Sequence, residues 1–390
     1  MLSAVVDAAK QVLGADRATV WLYDGEAHEL VLRFSGDLAP LRIPANSGLV
    51  GTCAHTRQAI NVTDCYSDPR FDPSTDKRTG YRTRCMLTLP LVDHKGGLVG
   101  VMQVLNKQEG VFDAHDESLA LVLAAQCAVA LQRVQMTEAL IEGEKMRQQL
   151  EAARLVQMST LPATMPAIAG YDLFGTFRPA DLTGGDTFDL AVTDQGVLVM
   201  LGDATGHGIG PALSVTQMQA MLRMAFRLGA DLATAFIQVN NRLAEILAED
   251  RFITAFIGLL DPATHELRFH SGGQAPILHF QAASGAFAKH QPTSFPLAAM
   301  PLATLKKPAV GIWVEPGDIV AVISDGIFEY RSRDGEEFGE ERACEAIRRH
   351  AAGSMEALAA AMFDAVKEFA GGAPQEDDMT VVFVKRKRGP

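Results

Sequence analysis

"RPADLTGGDTFDL", residues 178–190, sets two aspartates, Asp186 and Asp189, beside a pair of glycines. Glycines let a backbone turn tightly, and short acids at such a turn suit a hard divalent cation. Moving outward, the same combination returns three times. Asp203 closes the apolar run "VLVMLGD" and precedes "ATGHGIGPAL"; Asp325 closes "IVAVISD" and precedes "GIFEY"; Asp377 and Asp378 sit in "QEDDMT", just before the last apolar run. An aspartate at the end of a buried strand is costly to desolvate unless it is paired or metal-bound. Apart from Arg331, no Lys or Arg stands beside these acids in sequence. Acids gathered from several strand ends, with no cations to balance them, are what divalent metals need. Taken singly, each is equally a turn former or a helix cap. Four such motifs in one region favour the joint role.

The rest of the chain sets bounds. At 390 residues it is long enough for two or three domains. Its 48% hydrophobic and 21% charged content is that of a soluble globular protein. A net charge of −12 argues against a nucleic-acid or membrane-surface binder. It leaves phosphorylated substrates open, because bound cations reverse the local sign. Five cysteines without a CxxC pair suit a reduced cytoplasm and read as packing residues. No signal segment opens the chain, and no apolar run is expected to approach the ~20 residues of a membrane span. The four basic residues of "KRKRGP" at the end read as a solvated tail.

Three regions emerge: 1–128, 129–167 and 168–390. The first alternates short strands with helical stretches, an α+β pattern built on an antiparallel sheet. Residues 129–160 lack proline and are rich in Glu, Gln, Arg and Met. Met136, Ala139, Gly143, Met146, Leu150, Ala153 and Gln157 fall at spacings of three and four, a weak coiled-coil seam with poor residues at Gly143 and Gln157. A single amphipathic helix packed on one domain fits the same pattern. Two prolines in "LPATMPAIAGYD" end the helix. The third region is α/β, with five strands and helical stretches at 210–249 and 340–370.

Although "GGDTF" is one letter from the GGDEF signature of nucleotide cyclases, Thr187 stands where that signature has Glu, and the other acidic motifs follow rather than precede it. The order "GGDTFDL…LGDATGHGIGPAL…SDGIFEY…EDDMTVV", with "FITAFIGLLDPATHELRFHSGGQAPIL" between, resembles instead the bacterial PPM-type serine/threonine phosphatases of the stage II sporulation protein E family, over about 168–386. The resemblance implies a β-sandwich flanked by helices. It also implies two Mn²⁺ or Mg²⁺ ions held by Asp186, Asp203, Asp325 and Asp377, the catalytic set, with the Ala204 carbonyl as a further ligand. Two departures are Gln274, where the family usually has His, and Ala204, where distant relatives have Gly. Asp378 is expected at most behind the ligands. His207 is expected to be a turn or phosphate contact rather than a general acid.

The first region is similar to a GAF domain, with "LGADRATVWLYD" and "GLVGTCAHTRQAINVTDCYSDPRF" as its markers. "NKQEGVFDAHDE", residues 106–117, gives N-K-x4-F-x3-D-E from Asn106, Lys107, Phe112, Asp116 and Glu117. That pattern resembles the signature of cyclic-nucleotide-binding GAF domains and makes these five the expected ligand-binding residues. The bare chemistry of Lys107 and Asp116 also permits a purely structural ion pair.

The expected function is a ligand-regulated, metal-dependent phosphoserine/phosphothreonine protein phosphatase. By resemblance its substrate is a phosphorylated STAS-type anti-sigma antagonist in a partner-switching pathway, its effector cAMP or cGMP, and its assembly a parallel homodimer in the cytoplasm, with no nucleic acid and no membrane. The rival is a non-enzymatic GAF sensor with a scaffold domain.

Overall fold

A computed structural model describes residues 2–34, 41–206, 208–248 and 250–388. The chain falls into two compact units, residues 1–145 and 146–390.

The first unit runs α1 (Leu2–Val12), β1 (Ala15–Asp24), β2 (Glu29–Phe34), β3 (Arg42–Pro44), α2 (Gly48–Thr56), β4 (Ile60–Val62), α3 (Ser74–Thr79), β5 (Met86–Val92), β6 (Leu98–Lys107) and the start of α4 (Ala114–Thr160). Its strands form one six-stranded antiparallel sheet, ordered β3-β2-β1-β6-β5-β4. Val20, Leu87, Leu89 and Met102 pack one face of it against α1 and α4.

The helical stretch after β6 and the connector from residue 129 are the same element, α4. One helix runs unbroken from Ala114 to Thr160, because no proline or capping glycine interrupts it. This helix is also long and apolar enough to cross a membrane by composition, contrary to expectation. Ala120, Ala124, Cys127, Ala128 and Leu131 bury one side of it in the first unit's core.

The second unit continues with β7 (Tyr171–Arg178), β8 (Asp186–Thr193), β9 (Gly196–Ala204), α5 (Ile209–Arg227), α6 (Leu232–Ile246), β10 (Ile253–Asp261), β11 (Glu266–Gly272), β12 (Ile277–Gln281), β13 (Ala286–His290), β14 (Val310–Trp313), β15 (Ile319–Ile323), α7 (Asp325–Phe328), α8 (Gly339–His350), α9 (Met355–Ala370) and β16 (Met379–Arg386). Each expected helical stretch is broken in two by its own cap. Asp231 accepts from Thr234 N to start α6, and Ser354 accepts from Ala357 N to start α9.

Two antiparallel five-stranded sheets, β14-β11-β10-β9-β8 and β13-β12-β15-β16-β7, face each other. The period of two explains why their strands read as unbroken apolar runs. In β9, Val197, Val199 and Leu201 fill the space between the sheets, while Leu198 and Met200 pack outward on α5 and α6. In β16, Val382 and Val384 face inward, and Val381 and Phe383 face α8 and α9. The result is a helix–sheet–sheet–helix stack, the expected sandwich flanked by helices.

All five cysteines are free and buried. Burial pushes the Cys53 thiol up to about 12, and burial followed by the Cys85 thiol and nearby aspartates does the same for Cys65.

Candidate metal centre and sensor cavity

The sandwich brings each sheet's acidic strand ends to one edge. Asp186 opens β8 and pairs across the ladder with Asp203, near the end of β9. On the other sheet, Asp325 follows β15, while Asp377 and Asp378 precede β16. The two sheets are tied there by Thr380 Oγ1, which donates to Asp186 Oδ2 at 2.5 Å, while Ser324 N donates to Thr380 O at 3.0 Å within the second sheet. Asp186 is buried, Asp203 half-buried, and Asp325 and Asp377 exposed, so the acidic centre deepens from an open rim to a closed floor.

Among the described residues, none of these four acids forms an ion pair. Burial, then Asp203, holds the Asp186 carboxyl well above the usual carboxylate range. Burial, then Asp325, Asp377 and Asp378, pushes Asp203 up to about 8. Asp325 is raised by desolvation, then Asp377 and Glu329. Such repulsion is what a divalent cation relieves. Among the described residues no three acidic, His or Cys side chains already form a closed ligand cluster. The backbone nevertheless leaves room for an ion: a Cβ on Gly185 would lie 2.6 Å from Ala204 O and 3.4 Å from Asp203 Oδ1. A side chain there would crowd the Ala204 carbonyl and Asp203 together, so these residues fit the divalent pair implied by the sequence.

Asp189, the second acid of the opening stretch, belongs elsewhere. Three residues on from Asp186, it turns to the opposite face of β8 and meets Arg223 of α5 in a two-pronged ion pair of 2.5 and 2.7 Å. The Asp378 carboxylate faces backbone, accepting from Ala180 N at 2.8 Å and Asp186 N at 3.3 Å. Gln274 bridges the two sheets beside the acids, accepting from Thr254 Oγ1 and donating to Ile323 O at 2.8 Å. His207 lies outside the described residues.

Sequence reasoning missed Gln157. Read as a seam residue, it is instead buried in the second unit and cannot face a second helix. Its Nε2 donates to Gly184 O at 2.7 Å and Asp186 O at 3.1 Å. Only the oddity of a glutamine in an apolar repeat hinted at this.

The first unit holds a cavity of about 300 Å³ lined by Arg17, Thr19, Trp21, Tyr81 and Gln103, among others. The Arg17 guanidinium lies 4.0 Å over the Tyr81 ring, and Trp21 Nε1 donates to Gln103 Oε1 at 2.9 Å. Thr19 Oγ1 is buried there with no protein partner.

None of the five motif residues expected to touch ligand lines this cavity. Asn106 Oδ1 accepts from Arg84 N at 2.6 Å, and its Nδ2 donates to Tyr81 Oη at 2.8 Å and Arg82 O at 2.9 Å. Lys107 and Asp116 form the ion pair. Phe112 is core, and Glu117 sits in the first turn of α4. Of the five, Asn106 supports the cavity wall from behind, through Tyr81.

Comparison with known proteins fits both halves. A model of the stage II sporulation protein E (SpoIIE) family matches residues 193–387, and a GAF domain model matches residues 1–131. The SiaA-PP2C domain of Pseudomonas aeruginosa shares the fold over 63% of this chain and 98% of its own, at 21% identity and a TM-score of 0.54. The structure of the RsbU and RsbW domains of a Mycobacterium tuberculosis protein aligns over 59% of this chain and 64% of its own, at 22% identity and a TM-score of 0.50. Among curated proteins, a probable 3′,5′-cyclic phosphodiesterase of Caenorhabditis elegans is 30% identical over 155 residues, 36% of this chain and 21% of that one. A cGMP-specific 3′,5′-cyclic phosphodiesterase of Drosophila melanogaster is 34% identical over 108 residues, 27% of this chain and 10% of that one. The chain thus spans about a fifth or less of the curated relatives it matches. Because the SpoIIE match takes in half of its length, the protein belongs to the stage II sporulation protein E family of PPM-type phosphatases, with a GAF domain ahead of the phosphatase domain.

Proposed function

We propose that the protein is a ligand-regulated, metal-dependent phosphoserine/phosphothreonine protein phosphatase, with a sensor over 1–128, a connector over 129–167 and a catalytic domain over 168–390. The observation that carries it is the uncompensated acidic centre at one edge of a PPM-type sandwich. Asp186, Asp203, Asp325, Asp377 and the Ala204 carbonyl would hold two Mn²⁺ or Mg²⁺ ions. Bound there, the cations supply the positive charge that neutralises phosphoryl oxygens and acidifies the attacking water. The chain's own part is placement. Thr380 orients the Asp186 carboxylate, Asp378 fixes the backbone bearing it, and the exposed rim at Asp325 and Asp377 leaves a phosphorylated side chain room to approach.

A phosphorylated STAS-type antagonist as substrate is supported by family membership alone. Cytoplasmic location is supported by five free buried cysteines. A cyclic nucleotide effector is supported by the cavity, where aromatic and apolar walls suit a base, and Arg17 a phosphate. A parallel dimer is supported by Val122, Val129 and Met136, exposed on α4 at steps of seven. The test is Mn²⁺-dependent hydrolysis of p-nitrophenyl phosphate, followed by release of phosphate from a phosphorylated STAS protein with and without cAMP or cGMP. A chain inactive with Mn²⁺ and Mg²⁺ alike would favour the scaffold reading.

A further inference from the structure

Three hydrogen bonds of one side chain converge on the stretch that carries the deepest metal ligand. Besides donating to the carbonyls of Gly184 and Asp186, Gln157 accepts from Gly184 N at 3.2 Å. Its whole carboxamide is thus spent on residues 184–186. The Asp186 peptide is consequently gripped at both ends, its N–H by Asp378 and its carbonyl by Gln157. One helical turn earlier, on the same face of α4, Arg154 Nη1 donates to Leu182 O at 3.1 Å. The last residue of the helix joins in: Gln219 Nε2 donates to Thr160 O at 2.7 Å, while its Oε1 accepts from Thr187 Oγ1. The end of α4 therefore holds the β8 approach at Leu182, Gly184 and Asp186, and reaches Thr187 through Gln219.

We propose that Gln157 is a positioning residue for the metal centre. Through it the last turn of α4 sets where the Asp186 carboxylate stands and so how tightly the site takes up divalent cations. This rests on the metal-dependent reading above and adds a route for its regulation. The same helix is anchored near its start in the first unit by the Lys107–Asp116 pair. Hydrogen bonds weaken steeply as they lengthen or tilt, so a shift of α4 along or about its axis by a fraction of a turn breaks the grip. Ordinary packing does not require this arrangement. A leucine would fill the space, but it would strand three buried backbone groups beside a ligand.

The experiment uses the full chain and titrates Mn²⁺ calorimetrically into the wild type, Gln157→Leu, Gln157→Glu and Arg154→Ala. In parallel, p-nitrophenyl phosphate turnover is followed across a Mn²⁺ series. Groups that support metal ligands from behind are each worth about 10–100-fold in metal affinity. Gln157→Leu is expected to weaken Mn²⁺ binding by that factor and to recover most of its turnover at saturating Mn²⁺. Arg154→Ala is expected to shift the same way by less. Gln157→Glu keeps the size and serves if the leucine variant does not fold. It sets a carboxylate against two carbonyls and should lose affinity as well. A folded Gln157 variant that binds Mn²⁺ within about twofold of wild type would overturn the proposal. So would an affinity loss that merely tracks the unfolded fraction measured at the same temperature. Wild type that binds Mn²⁺ yet hydrolyses no phosphoester would reject the phosphatase reading while calorimetry still decides the role of Gln157. Wild type that binds no Mn²⁺ would reject both.

Discussion

In the first unit an acid meets its base; in the second, acids meet acids. Asp116 is closed off by Lys107, and Asn106 by backbone, so the residues that look most like a ligand signature are spent on structure. Asp186 and Asp203 face each other across a ladder with carboxylates for neighbours, and their charge stays available. Asp189 carries the same contrast within one strand, three residues from Asp186 and neutralised by Arg223. A motif's chemistry is therefore read from what remains unpaired after folding.

The largest expected effect lies in the unpaired set. Asp203→Asn should lower phosphatase turnover on the order of 10³-fold, about 4 kcal/mol of barrier, with far-UV circular dichroism unchanged. Near wild-type turnover at saturating Mn²⁺ would remove Asp203 from the metal site.

Next comes pH. Asp203 titrates at about 8 when folded, against a carboxylate's ordinary value near 4 when unfolded. The folded state thus holds this proton more tightly. Its stabilising contribution is complete below about pH 4 and lost as pH rises toward about 8. Melting of the chelator-treated chain should fall by about 5 °C or more between pH 5 and 8.5, and Mn²⁺ should reverse the fall at the upper end. A flat profile would mean that the acids are compensated after all.

On the other side of the comparison, Arg17→Ala should weaken binding of cAMP or cGMP about tenfold by calorimetry, whereas Lys107→Ala should leave affinity unchanged. No heat with either nucleotide would remove the effector assignment. Lys107→Ala should instead lower the denaturant midpoint of the first unit, because Asp116 loses its ion-pair partner. The smallest effect is Gly143→Ala. A Cβ there meets open space on an exposed helix, so stability should rise by about 0.5–1 kcal/mol.

Much of this could be read from the chain. The strand-end aspartates were legible because the apolar run, the acid and the glycine are contiguous, and contiguity survives folding. The continuity of α4 was signalled too, by the lack of any helix breaker around residue 129; the composition change there marked the end of burial rather than of the helix. The grip of Gln157 and the backbone partner of Asp378 at Asp186 were not legible. Their partners lie 27 and 192 residues away, and only the sandwich brings them together. The cavity residues were equally hidden, since Arg17 on β1 and Tyr81 in the loop before β5 are joined by the fold and not by motif.

The cysteines carry a practical consequence. Only thiolates react readily with maleimides or oxidants, and here every native thiol is enclosed, two of them pushed up to about 12. The chain is therefore a blank background for site-directed chemistry. Gly143→Cys would introduce one solvent-facing sulfur midway along α4, open to a spin or fluorescent reporter without removing any native cysteine.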